Sequence, residues 1–554
     1  MSHQSSASDD AARLREVANQ PLGKRLPVYL RLSGPGWLQS AITLGGGSLA
    51  GSLYLGVIGG FSLLWLQPLA MILGIIMLSA IGYVTLATRK NALESVNEYV
   101  NPVLGYGWAI ASLAASMVWA MPQYSLSIGV IQQNLMPGIF GANGALGNFW
   151  GKLVPTIAIL IFSTYITWNY SKGGRGVKIY ETTLKVMVAL IVLCFTGVVL
   201  RVTFSPAGLD WGAVFAGFVP DFSVLTQPTE SFRPLIAATA ESHQSYWTNF
   251  MLGKQRDIMA TAFATAVGIN MTFLFPASIL RRGWGKEFAG LLRFDLATGM
   301  LIPFTVATSF VVIAAASQFH AVAQPGLLPS AEVAMAKASA GQVREYEALI
   351  KGLEASVAAS GGTAAVTDAD RLLAATLVNR DGYHLAAALA PLTGPFVSNI
   401  VFGLGVLGMT LSTITILMLI SGQVVCAILK VEQTGWAFKI GSLAAVTGAL
   451  GPFVWSQASF YLAVPTSVFA LILLPIAYIA FFLLINQRRL LGEHLPKGGS
   501  RIMWNLMMIP ALVVVIGAST FMLVAKGGKP GIIAACVFIA AAIVTHFTRA
   551  RRST

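Results

Sequence analysis

Two short stretches carry the residues that could do chemistry, each interrupting an otherwise smooth apolar run. The first is TLGGGSLAGS from Thr43 to Ser52, where Gly45, Gly46, Gly47 and Ser48 follow one another. The second is GINMT, which supplies Gly268, Asn270, Met271 and Thr272, with Pro276 one turn further on. An interior glycine costs a helix about 1 kcal/mol relative to alanine. Backbone freed in hydrocarbon costs more still unless it lines a cavity or is buried in protein. Three successive glycines exceed what close helix packing through small residues requires, so the break argues for a binding site. An unwound segment offers backbone N–H groups at a half-helix N-terminus, which favour a carboxylate or phosphate. Ser48 and Asn270 would add side-chain polar contacts, with Trp37 for apolar contact. The Met271 thioether suits a soft metal or simple packing.

The elements that must position these residues are membrane helices. In 554 residues, 55 % are hydrophobic and only 10 % charged, which makes the chain an all-α polytopic membrane protein. Twelve apolar runs of roughly 20 residues are expected to span: 35–57, 61–88, 105–133, 152–171, 180–203, 258–280, 292–318, 395–429, 436–457, 460–486, 502–525 and 529–547. Basic residues sit in alternate connections: Arg89 and Lys90; Lys172, Arg175 and Lys178; Arg281, Arg282 and Lys286; Lys430 and Lys439; Arg488, Arg489, Lys497 and Arg501. Short cytoplasmic loops are rich in such residues, so both termini are expected in the cytoplasm, with the chain in a bacterial inner (plasma) membrane. No cleavable signal pattern precedes the first run. The net charge of +14 fits loops facing anionic lipid rather than nucleic acid. Cys194, Cys426 and Cys536 have no CxxC spacing and imply neither disulfide nor metal site.

Two connections are long, and both are expected outside. Residues 204–257 contain ESHQSYWTNFMLGKQRD, whose Arg233, Glu241, His243, Lys254 and Arg256 argue against a further span. Each charge costs about 2.5 to 3.5 kcal/mol at a helix centre, so the segment reads as a surface helix with Glu241 and His243 solvated. The insertion 319–394 is alanine-rich, and Glu332, Glu345, Glu347 and Glu354 keep it out of the bilayer. It reads as soluble helix: a helical cap, a surface for a protein partner or a passive solvated connection. The expected divisions are a cytoplasmic segment 1–32, a first five-helix unit 33–203, the loop 204–257, a second unit 258–487 and two further helices with a basic tail over 488–554. The two breaks fall five helices apart, the spacing of a five-plus-five inverted repeat with substrate between two discontinuous helices.

Several stretches in order resemble the Nramp (natural resistance-associated macrophage protein) family of divalent metal transporters. GPGWLQSAITL from Gly34 is similar to the opening of that family's first helix, and WGAVFAGFVP from Trp211 to the exit from its fifth. LLRFDLATG from Leu291 resembles the start of its seventh, TLSTITILMLISGQ ending at Gln423 its signature after the eighth, and LPIAYIAFFLLINQRRLLG from Leu474 its tenth. The resemblance implies the LeuT-type fold with two extra C-terminal helices, and metal-ion transport. Where the family carries Asp-Pro-Gly-Asn, this chain has Gly45, Gly46, Gly47 and Ser48. Its Met-Pro-His pattern falls, to within one residue, on Ile269, Asn270 and Met271. The third helix shows Gln123, Tyr124 and Ser125 at the level of the family's proton-pathway carboxylates.

The expected function is thus secondary transport, including symport, by alternating access between the first and sixth helices. By resemblance the cargo is a divalent metal ion, at the same positions if at all. A small neutral, zwitterionic or anionic organic solute such as an amino acid is the alternative. It follows from the residues, because hard divalent cations usually take a carboxylate and the expected spans hold only Glu181 and Asp295, near cytoplasmic ends. An intramembrane enzyme is the remaining class, but neither HExxH nor a GxGD aspartate pair occurs; the protein is expected not to be an enzyme. No cofactor is expected, and partners are the substrate and the lipid bilayer.

Overall fold

The computed structural model describes residues 2–17, 19–170, scattered positions between 182 and 193, 195–204, 208–324, 326–328, 338–361, 365–380, scattered positions between 384 and 390, 394–433, 435–455 and 458–552. Among these, ten helices are long and apolar enough to cross a bilayer, and a bent pair in the first run makes an eleventh. The expected fifth span lies largely outside the described residues, which are helical over 195–203. Lys172, Arg175, Lys178, Glu181, Cys194 and Glu332 also fall outside them.

The first span folds as two half-helices, Pro35–Thr43 and Gly46–Gly59, inclined by 53° across Leu44 and Gly45. Gly45 is extended, at φ −95° and ψ −179°, a conformation open to any residue. Its glycine is required by close approach, since a Cβ would lie 2.2 Å from Thr413 Oγ1 of the eighth helix. The third helix, Pro102–Val130, runs against the eighth, Phe402–Leu429, against the Gly46–Gly59 half of the first span and against the Ile269–Arg281 half of the sixth. The outer half of the first span packs along the seventh helix, Ile302–Phe319, and the sixth along the tenth, Ala463–Ile485. The last helix, Gly528–Arg552, is exposed along its length, as a lipid-facing helix is.

The sixth span departs from expectation. It begins at Glu241, not at 258, and runs as Glu241–Ala266 and Ile269–Arg281, broken at Val267 and Gly268. The segment ESHQSYWTNFMLGKQRD is therefore no separate surface helix, and the expected division at 257/258 falls inside a helix. At 1.5 Å per residue the 26-residue outer half is about 39 Å long, far more than the ~15 Å half-thickness of a hydrocarbon core.

Its polar residues are buried by protein. The insertion forms the helices Ala340–Ala359 and Asp368–Leu377, each opened by a capping box, at Ser339/Gln342 and Thr367/Asp370. Leu349, Leu353, Val357, Leu373 and Leu377 are buried in one cluster with Trp247 and Met251 of the long helix. His243, expected to be solvated, is wholly buried with Nδ1 2.8 Å from Asp370 Oδ2. Trp247 Nε1 donates to the other carboxylate oxygen at 2.8 Å. Glu241 is exposed, as expected. Lys254 donates to Leu377 O and lies 3.9 Å from Glu345. Burial pushes the Glu345 carboxyl above the ordinary range, and Lys254 opposes the shift. Arg380 donates to Gln324 Oε1 and to Val322 O, and its own carbonyl accepts from Tyr54 of the first span. The insertion thus covers the Glu241–Ala266 half of the sixth span and reaches the first span at Tyr54.

Candidate substrate site

The two breaks meet. Ser48 Oγ donates to Thr265 O at 3.3 Å, and Thr43 Oγ1 lies 3.7 Å from Met271 Sδ. Each contact joins the first span to the sixth, so four half-helix ends converge with their partial charges around one region.

The expected residues take distinct places there. Gly46 opens the outer half-helix of the first span, and a Cβ on it would lie 2.7 Å from Thr410, 2.8 Å from Gln123 Oε1 and 2.9 Å from Leu126. Gly47 is roomier, its nearest neighbours being Gln123 Nε2 at 3.5 Å and Thr265 at 3.7 Å. Gly268 lets the sixth span approach Trp119, whose ring would sit 2.3 Å from a Cβ. Asn270 Oδ1 accepts from Met271 N at 2.9 Å, and its Nδ2 reaches Ser116 Oγ at 3.5 Å. Met271 is fully buried, and its sulfur also receives Gly268 N at 3.4 Å. Thr272 turns away from the first span, and its hydroxyl accepts from Trp108 Nε1 at 2.9 Å. Trp37 is not at the break: it is partly exposed and its backbone packs on Gly299 of the seventh span.

Below the breaks lies a cavity of about 260 Å³, lined by Asn91, Trp108, Phe273, Pro276, Arg281 and Gln433. Trp108 separates it from Thr272. Asp295 accepts from Gly34 N at 3.0 Å and Gly36 N at 2.6 Å at the start of the first span. Among the described residues no three or more His, Cys, Asp or Glu side chains are grouped to hold a metal ion. What the breaks offer is hydroxyl, amide, thioether and backbone.

A model of the Nramp (natural resistance-associated macrophage protein-like) family matches residues 36–525. The chain belongs to the Nramp family. It is therefore a transporter-family protein and not an enzyme. The divalent metal cation transporter MntH of Agrobacterium fabrum is 26 % identical over 216 residues, 38 % of this chain and 42 % of that relative. Metal transporter Nramp2 of Populus trichocarpa is 30 % identical over 167 residues, 29 % of this chain and 28 % of the relative. The chain thus aligns with less than half the length of these curated relatives. Crystal structures of the Eremococcus coleocola manganese transporter, including one in complex with an aromatic bis-isothiourea substituted compound, match with a TM-score of 0.51 at 14 % identity. Each match covers 94 % of this chain and 93 % of that one, which fixes the LeuT-type Nramp fold.

Within this Nramp chain, several residues at the breaks escaped sequence reasoning. Thr43, Thr265, Ser116 and Trp108 join the site through the contacts above. A signal for part of this set exists. Trp108, Ser112, Ser116, Trp119, Gln123 and Ser127 recur at steps of four, four, three, four and four, which is one face of a helix. That face touches the sixth span through its first four members and the first span through Gln123, while Ser127 Oγ reaches Thr410 Oγ1 at 2.6 Å.

Proposed function

We propose that this chain is a secondary transporter that carries a divalent metal ion across the membrane by alternating access, one five-helix unit rocking against the other around the paired breaks. The observation that carries this reading is the juxtaposition of Ser48 with Thr265 and of Thr43 with Met271, two discontinuous helices facing one another inside the protein. The names of the relatives, metal and manganese transporters, support the choice of cargo. The Met271 sulfur favours a transition metal of borderline softness over magnesium or calcium. Gly45, Gly46, Gly47, Ser48, Gly268, Asn270 and Met271 form the site in this reading, and Thr272 supports it from behind. The cytoplasm holds both termini and the basic loops.

A second reading, a small neutral, zwitterionic or anionic organic solute, is favoured by one observation. Asp295, the carboxylate at the start of the first span, already holds two backbone N–H groups, and a divalent ion without carboxylate ligands is poorly compensated in a low dielectric.

Thermal stabilisation of the purified protein by Mn²⁺ and related divalent ions, set against a panel of amino and organic acids, separates the two. Stabilisation by the organic set alone would overturn the metal reading. In proteoliposomes, Gly46→Leu and Asn270→Leu are expected to abolish uptake while the protein still inserts; full uptake in both would remove the site from between the breaks.

A further inference from the structure

Most of the polar groups at the breaks are already committed. Ser48 Oγ donates to Thr265 O, Asn270 Oδ1 accepts from Met271 N, and Thr272 Oγ1 is held by Trp108 and the carbonyl of Ile269. One side-chain oxygen beside them is not. Gln123 is 3 % exposed, and among the described residues its Oε1 has no hydrogen-bond partner. A carboxamide oxygen is an acceptor only, and a buried acceptor left without a donor is rare and costly in native proteins.

The position of this amide is set by what the first span lacks. Gly46 and Gly47 place no side chain between Gln123 and the break, and the amide occupies the space their Cβ atoms would enter, 2.8 Å from one and 3.5 Å from the other. Gln123 stands on the same helical face that contacts the sixth span through Ser116 and Trp119. Its oxygen therefore borders the region shared by both breaks and carries no charge.

We propose that Gln123 is a direct ligand of the transported cation, supplying its carboxamide oxygen from the third helix to the region between the two breaks. This makes the third helix a wall of the binding site and Gln123 a determinant of which cations are accepted. A neutral oxygen at this point keeps the charge at the site low, which selects against hard ions such as Ca²⁺ and Mg²⁺, whose affinity rises with the number of ligand charges. The proposal rests on the reading of the breaks as a cation site.

The test uses the full chain in proteoliposomes, with Mn²⁺ uptake measured alongside Ca²⁺ uptake for the wild type, Gln123→Ala, Gln123→Asn, Gln123→Glu and Gly46→Leu. Gln123→Ala is expected to raise the KM for Mn²⁺ by roughly tenfold or more, as loss of even an outer-shell partner does at metal sites. The kcat should change less. Gln123→Glu is expected to lower the KM for Mn²⁺ and to admit Ca²⁺, and Gln123→Asn to fall between alanine and wild type. If Gln123→Ala does not yield folded protein, the glutamate and asparagine variants carry the test through the same two ions. An unchanged Mn²⁺ KM and unchanged Ca²⁺ exclusion in the folded Gln123 variants, with Gly46→Leu inactive, would overturn the role of Gln123 and leave the site in place. No Mn²⁺ uptake by the wild type would overturn both.

Discussion

Gly46 and Gly47 are neighbours in one glycine run, yet the structure separates them sharply, and alanine at each tests the packing of the first break. At Gly47 a new methyl meets its nearest atoms at 3.5 and 3.7 Å, ordinary van der Waals contact. Alanine there should gain part of the about 1 kcal/mol by which it exceeds glycine in a helix. At Gly46 the same methyl meets Thr410, Gln123 and Leu126 at 2.7, 2.8 and 2.9 Å, on three sides at once. Two of the three cannot withdraw freely, because Thr410 is tied to Ser127 at 2.6 Å and Leu126 is fully buried. Overpacking of this kind costs about 1 to 3 kcal/mol, which outweighs the helix-propensity gain. Gly46→Ala should therefore be less stable than Gly47→Ala by about 1 to 3 kcal/mol, despite identical chemistry one residue apart. Thermal unfolding in detergent, followed by tryptophan fluorescence at one heating rate, gives the ranking directly. A Gly46→Ala protein that melts at or above Gly47→Ala would refute the packing argument, because no propensity effect distinguishes the two in that direction.

Three further predictions concern residues that span distant parts of the chain. Asp370→Ala should cost about 1 to 3 kcal/mol for each buried donor left unsatisfied, since it leaves His243 and the Trp247 N–H without their acceptor; limited proteolysis of the insertion should then cut between the two capped helices, and an unchanged digest would count against the latch. Burial works to raise the Asp370 carboxyl, but hydrogen bonds from Thr367, Trp247 and His243 prevail and hold it below its usual value. A depressed carboxylate stabilises fully above the unfolded value of about 3.9 and loses that contribution as pH falls through the folded value. Docking measured by the same digest should thus be constant from neutral to mildly acidic pH and weaken only below about pH 4. Trp108→Ala should open the 260 Å³ cavity toward Thr272, so that in a background without native cysteines Thr272→Cys becomes labelled by an impermeant thiol reagent applied to the side bearing Asn91 and Arg281; labelling equal to that with Trp108 intact would show that the indole is not the barrier.

The breaks were legible in the sequence because they violate a period. Glycine at 45–47 and the polar group around Asn270 interrupt apolar helices with nothing local to gain, and only tertiary structure compensates such a violation. What faces a break is a different kind of information. Ser48 finds its acceptor at Thr265, 217 residues away, and Gln123 reaches the same region from a third helix. No local rule pairs them, although the four-residue spacing from Trp108 to Ser127 was there to be read as one face.

The start of the sixth helix was misplaced for a physical reason that also explains the insertion. The cost of a charge at a helix centre assumes lipid around it, and on that assumption Lys254 and His243 end the span. Here the surroundings of the outer half-helix are protein. Asp370 meets His243 at a separation of 127 residues, Leu377 O meets Lys254 at 123, and Val224 O meets Gln255 from the preceding loop. The long outer helix and the insertion therefore depend on one another: without the insertion the helix would expose His243 and Lys254 beside an apolar face, and without the helix the face formed by Leu349, Leu353 and Leu373 would have no cover. Tyr54 of the first span also donates to the carbonyl of Arg380 in the insertion, so in the proposed alternating-access cycle any movement of that half-helix away from the insertion must part the contact.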